Sequence, residues 1–507
     1  MKPTRLIPAL AATLALSTPA AHAGLLDGAG AAWNTAHAGM PAGFLSEIVA
    51  FDAVTKTLWV SGVTGVDVLD ARTGASLGFI DTASWGSINS VAIHNGIAAF
   101  AIEAGDRALP GVVQLYDTGS RSLLAGTSTI TVGSLPDMLT FTPDGSRLLV
   151  ANEGTPNAGD YGKRIGSGTP RRYGSSAKDP VGSVSIIDVA SRSVVSTATL
   201  AGVAQTGTHI RTHTGMDFEP EYIAVDPAGT QAYVSLQEAN AMGVLDLQSG
   251  QFTKVVGLGA KDFSQPGNAI DTNNDGKIDF QRVAAKGLYM PDGMASFTHG
   301  GKTYVAMANE GDFREDDADR SAASSLGATG DLAPLRVSNT DSSAGDLYAA
   351  GARSFSIRDT DGNIVYDSGN ILDVQAAAMG LYNDGRSRDK GVEPEGIELM
   401  EIGGQTFAFV GLERTTTGAV AVFEIDADDP GNTRFVRMLT LDGQVAPEGL
   451  KGFTMDGMHY LAVSAEGADG VGAGTTLFAL APVPEPGTWA MLLAGLGLVG
   501  WGARRRG

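Results

Sequence analysis

Apolar residues along this chain fall in short runs, each closed by Gly, Pro, Asn or Asp, and no comparably strong stretch repeats at the helical period. The runs are themselves organised. An acidic residue, usually after Pro, opens one apolar strand, and a second strand ends in Glu at a nearly fixed distance. Pro136-Asp137 leads to Asn152-Glu153, Pro220-Glu221 to Gln237-Glu238, and Pro291-Asp292 to Asn309-Glu310. Pro394-Glu395 leads to Glu413 and Pro447-Glu448 to Glu466, so the five Pro-to-Glu separations are 17, 18, 19, 19 and 19 residues. Two looser copies, Glu47 to Val60 and Asn89 to Glu103, bring the total to seven. A third strand with alternating Val and a closing Asp follows in several copies, as in Val66–Asp70 and Val184–Asp188, and Asn95-Gly96, Gly300-Gly301 and Asp456-Gly457 supply turns. A unit of about four short strands used seven times predicts an all-β fold, a seven-bladed β-propeller with long inter-strand insertions, which leaves no open sheet edge.

Two insertions interrupt the repeat. Thr155 to Pro180 is basic, with Lys163, Arg164, Arg171, Arg172 and Lys178, and Asp312 to Lys390 is the largest excursion, opening on Glu315-Asp316-Asp317-Ala318-Asp319. Binding residues concentrate on such loops when a rigid frame carries them.

Charge narrows the function. Lys plus Arg total 35 against 56 Asp plus Glu, a net charge of −21, which repels phosphate backbones and excludes nucleic acid as a partner while favouring cations. Cysteine is absent, so disulfides, thiolate metal sites and cysteine nucleophiles are excluded together.

Both ends read as addresses. Residues 1–23 carry Lys2 and Arg5, an apolar run from Leu6 to Leu16 and Ala21-His22-Ala23, the pattern of a signal peptide cleaved after Ala23. Pro484-Glu485-Pro486 precedes an apolar stretch from Trp489 to Trp501 and then Arg504-Arg505-Arg506. This resembles the PEP-CTERM sorting signal, which implies recognition by an exosortase, transient inner-membrane anchoring through a short membrane helix, and Arg residues left cytoplasmic. Losing two cations at one end, and three Arg and one Glu at the other, takes the net charge to −25.

Candidate chemistry lies at the repeat positions. Glu153, Glu238, Glu310, Glu413 and Glu466 occupy one position of the unit, so approximate symmetry gathers them at one face, where their repulsion calls for cations, shared protons or Arg. Asp312 and Glu395 join them as ligand-binding candidates. Asp271, Asn273, Asp275 and Asp279, with the Lys277 carbonyl, fit positions 1, 3, 5, 9 and 7 of a calcium loop with Gly276 at its turn, although Arg282 stands where a bidentate Glu would close it. Neither a Gly-x-Ser-x-Gly elbow nor an HExxH motif is present.

Leu135 to Gly145, Val150 to Gly154, Glu219 to Ile223, Ala308 to Asp312, Arg386 to Gly396 and Gly411 to Arg414 together resemble the choice-of-anchor I family. The resemblance runs from about Leu45 to Leu480 and implies a seven-bladed propeller of the YVTN/WD40-like superfamily, some members of which carry alkaline-phosphatase-like or cell-surface labels. The expected organisation is a signal peptide at 1–23, a lead segment at 24–44, the propeller at 45–481 and the sorting segment at 482–507. The expected function is that of an exported monomer at the cell surface or in the extracellular matrix, a calcium-stabilised binding scaffold meeting exopolysaccharide or another surface partner. The alternative is a phosphoesterase in which Glu310, Glu393, Glu395 and Glu413 hold divalent metal, calcium or another, and Arg386 or Arg414 binds phosphate.

Overall fold

The computed structural model describes residues 24–157, 178–211, 218–314, 319–468 and 471–482. The signal peptide, most of the basic insertion, the acidic run before Asp319 and the sorting residues Pro484, Glu485, Pro486 and Arg504 to Arg506 lie outside them.

The described residues are mostly β-strand, as the short apolar runs predict, and seven sheets of four or five strands follow one another along the chain, antiparallel except where Gln205–Thr208 runs parallel to Gln251–Leu258. The first sheet is Val49–Asp52, Thr57–Gly62, Gly65–Asp70 and Ser76–Asp81. The third is Pro136–Phe141, Arg147–Asn152, Ser183–Asp188 and Ser193–Thr199. In such a unit the second and third strands are covered on both faces, which is why they read as continuous apolar runs, while the fourth alternates with solvent.

Each pair of neighbouring sheets shares one core. Trp59 and Val68 of the first sheet pack on Phe100 and Tyr116 of the second, and Phe355 and Ile357 of the fifth pack on Val410 and Phe423 of the sixth. The succession returns to its start, because Phe453 and Leu477 of the seventh sheet pack on Val49 and Leu58 of the first.

Two features differ from the sequence reading. Gly30–Thr35, inside the segment expected to be a mere lead, pairs antiparallel with Gly474–Pro482 and supplies the fourth strand of the seventh sheet. His37 just beyond it bonds Asp67 Oδ2 through Nδ1 and Thr475 Oγ1 through Nε2, both at 2.8 Å, and so ties the first sheet to the seventh. The excursion from Asp312 to Lys390 is not one loop. Ser354–Asp359 and Ile364–Asp367 are the third and fourth strands of the fifth sheet, and the true insertion between its second and third strands ends before Ser354. The third strand keeps the closing Asp359 but has Ser, Phe and Ile where the others alternate Val, so the repeat is masked there. The eight-residue helix Ile371–Ala378 follows, and among the described residues no helix is long and apolar enough to cross a membrane.

Candidate functional site

The Pro-acid pairs build the site. In the third, sixth and seventh sheets the pairing register shifts where the acid sits, between Pro136 and Met138, Pro394 and Ile397, and Pro447 and Leu450. The resulting bulges take Asp137, Glu395 and Glu448 out of the ladder, and all three line a cavity of about 430 Å³. The residue before Pro is left-handed in four repeats, at Leu135, Met290, Glu393 and Ala446, with φ between 44° and 57°. Such backbone costs about 1–3 kcal/mol for a non-glycine residue, and it recurs here at equivalent positions around one cavity. The second-strand acids are fastened to the same corner, since the backbone N–H groups of Glu153, Glu413 and Glu466 donate to the carbonyls of Leu135, Glu393 and Ala446.

Glycine after the acid lets neighbouring sheets close in. A Cβ on Gly396 would lie 2.2 Å from the Glu448 carbonyl oxygen, and one on Gly293 would lie 2.4 Å from that of Glu395. Gly293 N–H donates to the Glu395 carbonyl at 3.1 Å and Gly449 N–H to the Glu47 carbonyl at 3.0 Å, so the close approach is hydrogen-bonded. Gly396→Ala is therefore expected to cost about 1–3 kcal/mol by overpacking and to spread the carboxylates apart. A melting temperature equal to that of the parent protein would contradict this.

The cavity is lined by Glu47, Asp137, Glu153, Glu221, Asp292, Glu310, Asp312, Glu395, Glu413, Glu448 and Glu466, with Arg107, Lys390 and Arg414. Of the sequence-selected acids, Glu153, Glu310, Asp312, Glu395, Glu413 and Glu466 face it directly, and Glu238 joins Glu153 and Glu221. Carboxylate oxygens gather within 4.8 Å of one another in three groups: Glu153, Glu221 and Glu238; Asp292, Glu310 and Glu395; Glu310, Glu393 and Glu413. Sequence reasoning did not select Glu47, Asp137, Glu221, Asp292, Glu448 or Lys390 as site residues. Most of these were visible as the acid after Pro.

Burial first, and then neighbouring acids, shift most of these groups. Burial and the facing Glu153 and Glu448 push Asp137 up to about 8, and burial with Glu153 and Asp312 pushes Glu238 up to about 8. Burial and Glu466 raise Glu448 to about 7, and Glu47, Glu221, Asp292, Glu395 and Glu413 stand well above the usual carboxylate range for the same reasons. Glu393 is the exception. Burial works against its charge, yet Lys390 and Arg386 outweigh burial and hold it below the usual range. Arg386 Nε lies 2.5 Å from Glu393 Oε1, and Lys390 Nζ lies 2.6 Å from Glu310 Oε1 and 3.1 Å from Glu393 Oε2. Arg414 pairs with Glu413, and Arg314 bridges Asp179 and Glu219, the latter at 2.9 Å.

The loop read as a calcium site lies elsewhere, around a pocket of about 190 Å³ with Asp271, Asn273, Asp275, Lys277, Asp279, Gln281 and Asp331. Asp271 accepts from the N–H groups of Asn273 at 3.1 Å and Asp279 at 3.3 Å, Asp275 accepts from that of Lys277 at 3.1 Å, and Asp384 accepts from Gly276 at 2.8 Å. These carboxylates are not among the groups whose oxygens gather within 4.8 Å.

Fold and cavity together define an all-β protein of repeated antiparallel sheets that converge a dense set of carboxylates on one opening. Residues 47–428 match the choice-of-anchor I domain, and the chain belongs to that family. Residues 482–506 match the PEP-CTERM protein-sorting motif, which marks an exported, cell-surface-associated protein recognised by exosortase during sorting. Among curated proteins nothing matches. Of solved structures, a chain titled Kuenenia stuttgartiensis Hydrazine Synthase is similar over 85% of this chain and 96% of its own, at 13% identity and a TM-score of 0.47.

Proposed function

We propose that the seven sheets are the blades of a β-propeller and that the chain acts at the cell surface as a cation-dependent binding module. The observation that carries this reading is the gathering of carboxylate oxygens in three groups within one open cavity. Such a cavity is stable only when protons or cations neutralise it. Its ligand atoms are all hard oxygens, with no His or Cys in any group, which favours calcium over zinc or copper. A cation held there keeps coordination positions for an outside ligand, and exopolysaccharide, rich in hydroxyl and acidic oxygens, fits that role. The Asp271–Asp279 loop is a second, peripheral calcium position that stabilises the fold. We read the chain as a monomer, released from its inner-membrane anchor to the surface or matrix.

A second reading is favoured by one observation. Glu310, Glu393 and Glu413 converge, Glu395 meets Glu310 beside them, and the partly exposed Arg386 and Arg414 stand at the same place. In that reading metal held by Glu310 and Glu395 polarises a phosphoryl oxygen, and Arg414 receives the phosphate.

The test uses the mature chain, residues 24–482, assayed for metal content, melting temperature and hydrolysis of a phosphomonoester and a phosphodiester, with and without chelator. A chelator-sensitive melting temperature without hydrolysis is the expected result. Hydrolysis lost on chelation and in Glu310→Gln would establish the second reading instead, and a chain indifferent to calcium and chelator would overturn both.

A further inference from the structure

The three carboxylate groups are not equivalent. The group of Glu310, Glu393 and Glu413 already holds its cations, because Lys390, Arg386 and Arg414 reach into it. Lys390 Nζ takes one oxygen of Glu310, and Gln237 Nε2 donates to the other at 2.9 Å. Both oxygens of Glu310 are therefore engaged, which also weakens the group it forms with Asp292 and Glu395. Among the described residues, by contrast, the group of Glu153, Glu221 and Glu238 has no lysine seated in it as Lys390 is in the other; Arg107 and Arg314 act on Glu153, and Arg314 on Glu238, more weakly than burial does. Glu238 is 8% exposed, and its Oε2 meets no hydrogen-bond donor. Glu221 Oε2, in the same group, is buried and unpartnered as well. Leaving such oxygens unmet is costly, and a proton, a water or a cation can each meet them.

We propose that Glu153, Glu221 and Glu238 form a site for one hard divalent cation of calcium size, and that Lys390 stands in for a cation in the group built on Glu310, Glu393 and Glu413. This deepens, and rests on, the reading of the cavity as cation-dependent. Oxygens no more than 4.8 Å apart can be spanned by one ion, and a donor set made only of carboxylates is one that calcium, bonding oxygen at about 2.3–2.6 Å in flexible geometry, accepts. Thr155 Oγ1 lies within hydrogen-bond reach of both Glu153 and Glu219, and its single proton, given to Glu153, orients that carboxylate from behind. Gln237, adjacent to Glu238, reaches Glu310 and so separates the cation site from the lysine-filled one.

The experiment is calcium titration calorimetry on residues 24–482 carrying Asp275→Ala, which silences the Asp271–Asp279 loop, with metal-free melting curves for every variant. Glu221→Gln and Glu238→Gln are each expected to weaken calcium binding at least tenfold, and Glu413→Gln to leave it within about twofold. A neutral amide also mimics the protonated acid, so Glu238→Gln should melt no lower than its parent without calcium. That arm shows that lost binding is not lost folding. If Glu413→Gln abolishes binding while Glu221→Gln and Glu238→Gln keep it, the assignment falls and the cation-dependent cavity stands. If the Asp275→Ala parent binds no calcium at all, the cavity reading falls with it.

Discussion

Replacing Lys390 by Met is expected to destabilise the metal-free protein at pH 7 by about 3–5 kcal/mol, lowering its melting temperature by several degrees. The ammonium is 6% exposed and lies 2.6 Å from Glu310, 3.1 Å from Glu393 and 4.0 Å from Asp312. Methionine fills nearly the same volume, so packing is conserved and the loss is electrostatic. Glu310 then retains only the Gln237 amide for its two oxygens, and it faces Glu393 and Glu413 with Arg386 and Arg414 paired to those two alone. Two escape routes define the signature: acidification, which protonates Glu310, and calcium, which can take the place the ammonium leaves. Both should restore part of the loss. A variant as stable as the parent in chelator at pH 7, measured by thermal or denaturant unfolding, would show that Lys390 is not what neutralises this group.

The chelated protein is expected to melt at progressively lower temperature as the pH is raised from about 4 to about 8. Asp and Glu in an unfolded chain ionise near 3.9 and 4.3. In the fold Asp137 and Glu238 are pushed up to about 8 and Glu448 to about 7. Between those limits the folded chain keeps protons that the unfolded chain has surrendered, so stability present below about pH 4 is lost as pH rises through the folded values. Each group can contribute up to about 1.4 kcal/mol per pH unit over its window, and several act together. Acids held below the usual range, such as Glu393 and Asp144, lose their contribution only at lower pH and do not offset the slope. Saturating calcium should flatten it, because the cation supplies above pH 6 what protons supply below. A melting temperature that is flat or rising across this window in chelator would mean that the cavity acids are ionised without help.

The repeat of Pro, acid and later Glu was legible in one dimension because it reflects one backbone event, a left-handed residue before Pro at Leu135, Met290, Glu393 and Ala446, followed by a bulge in three of the four. It carried the all-β class and the positions of Glu153, Glu310, Glu395, Glu413 and Glu466 on one cavity. Lys390 was not legible, since nothing in Asp389-Lys390-Gly391 says that the ammonium returns to a glutamate 80 residues earlier. The rank order among the acids was also hidden, because ion pairing by Arg386, Lys390 and Arg414 is a property of three dimensions. Ser354–Asp359 escaped because its polar spacing hides a strand that is buried along nearly its whole length. Gly30–Thr35 escaped because Ala-rich sequence has little intrinsic strand preference, and its partner stands more than 400 residues away.

That last pairing sets an order of events. Trp33 meets Leu477, so the first strand to reach the outside must wait, unpaired, for the last one to follow. A chain threaded across a membrane from its N-terminus cannot complete the seventh sheet until residue 482 has emerged, and residue 482 is where the sorting motif begins. The strand that closes the seventh sheet therefore ends where the sorting motif starts, and the two ends of the described chain are stitched together beside it.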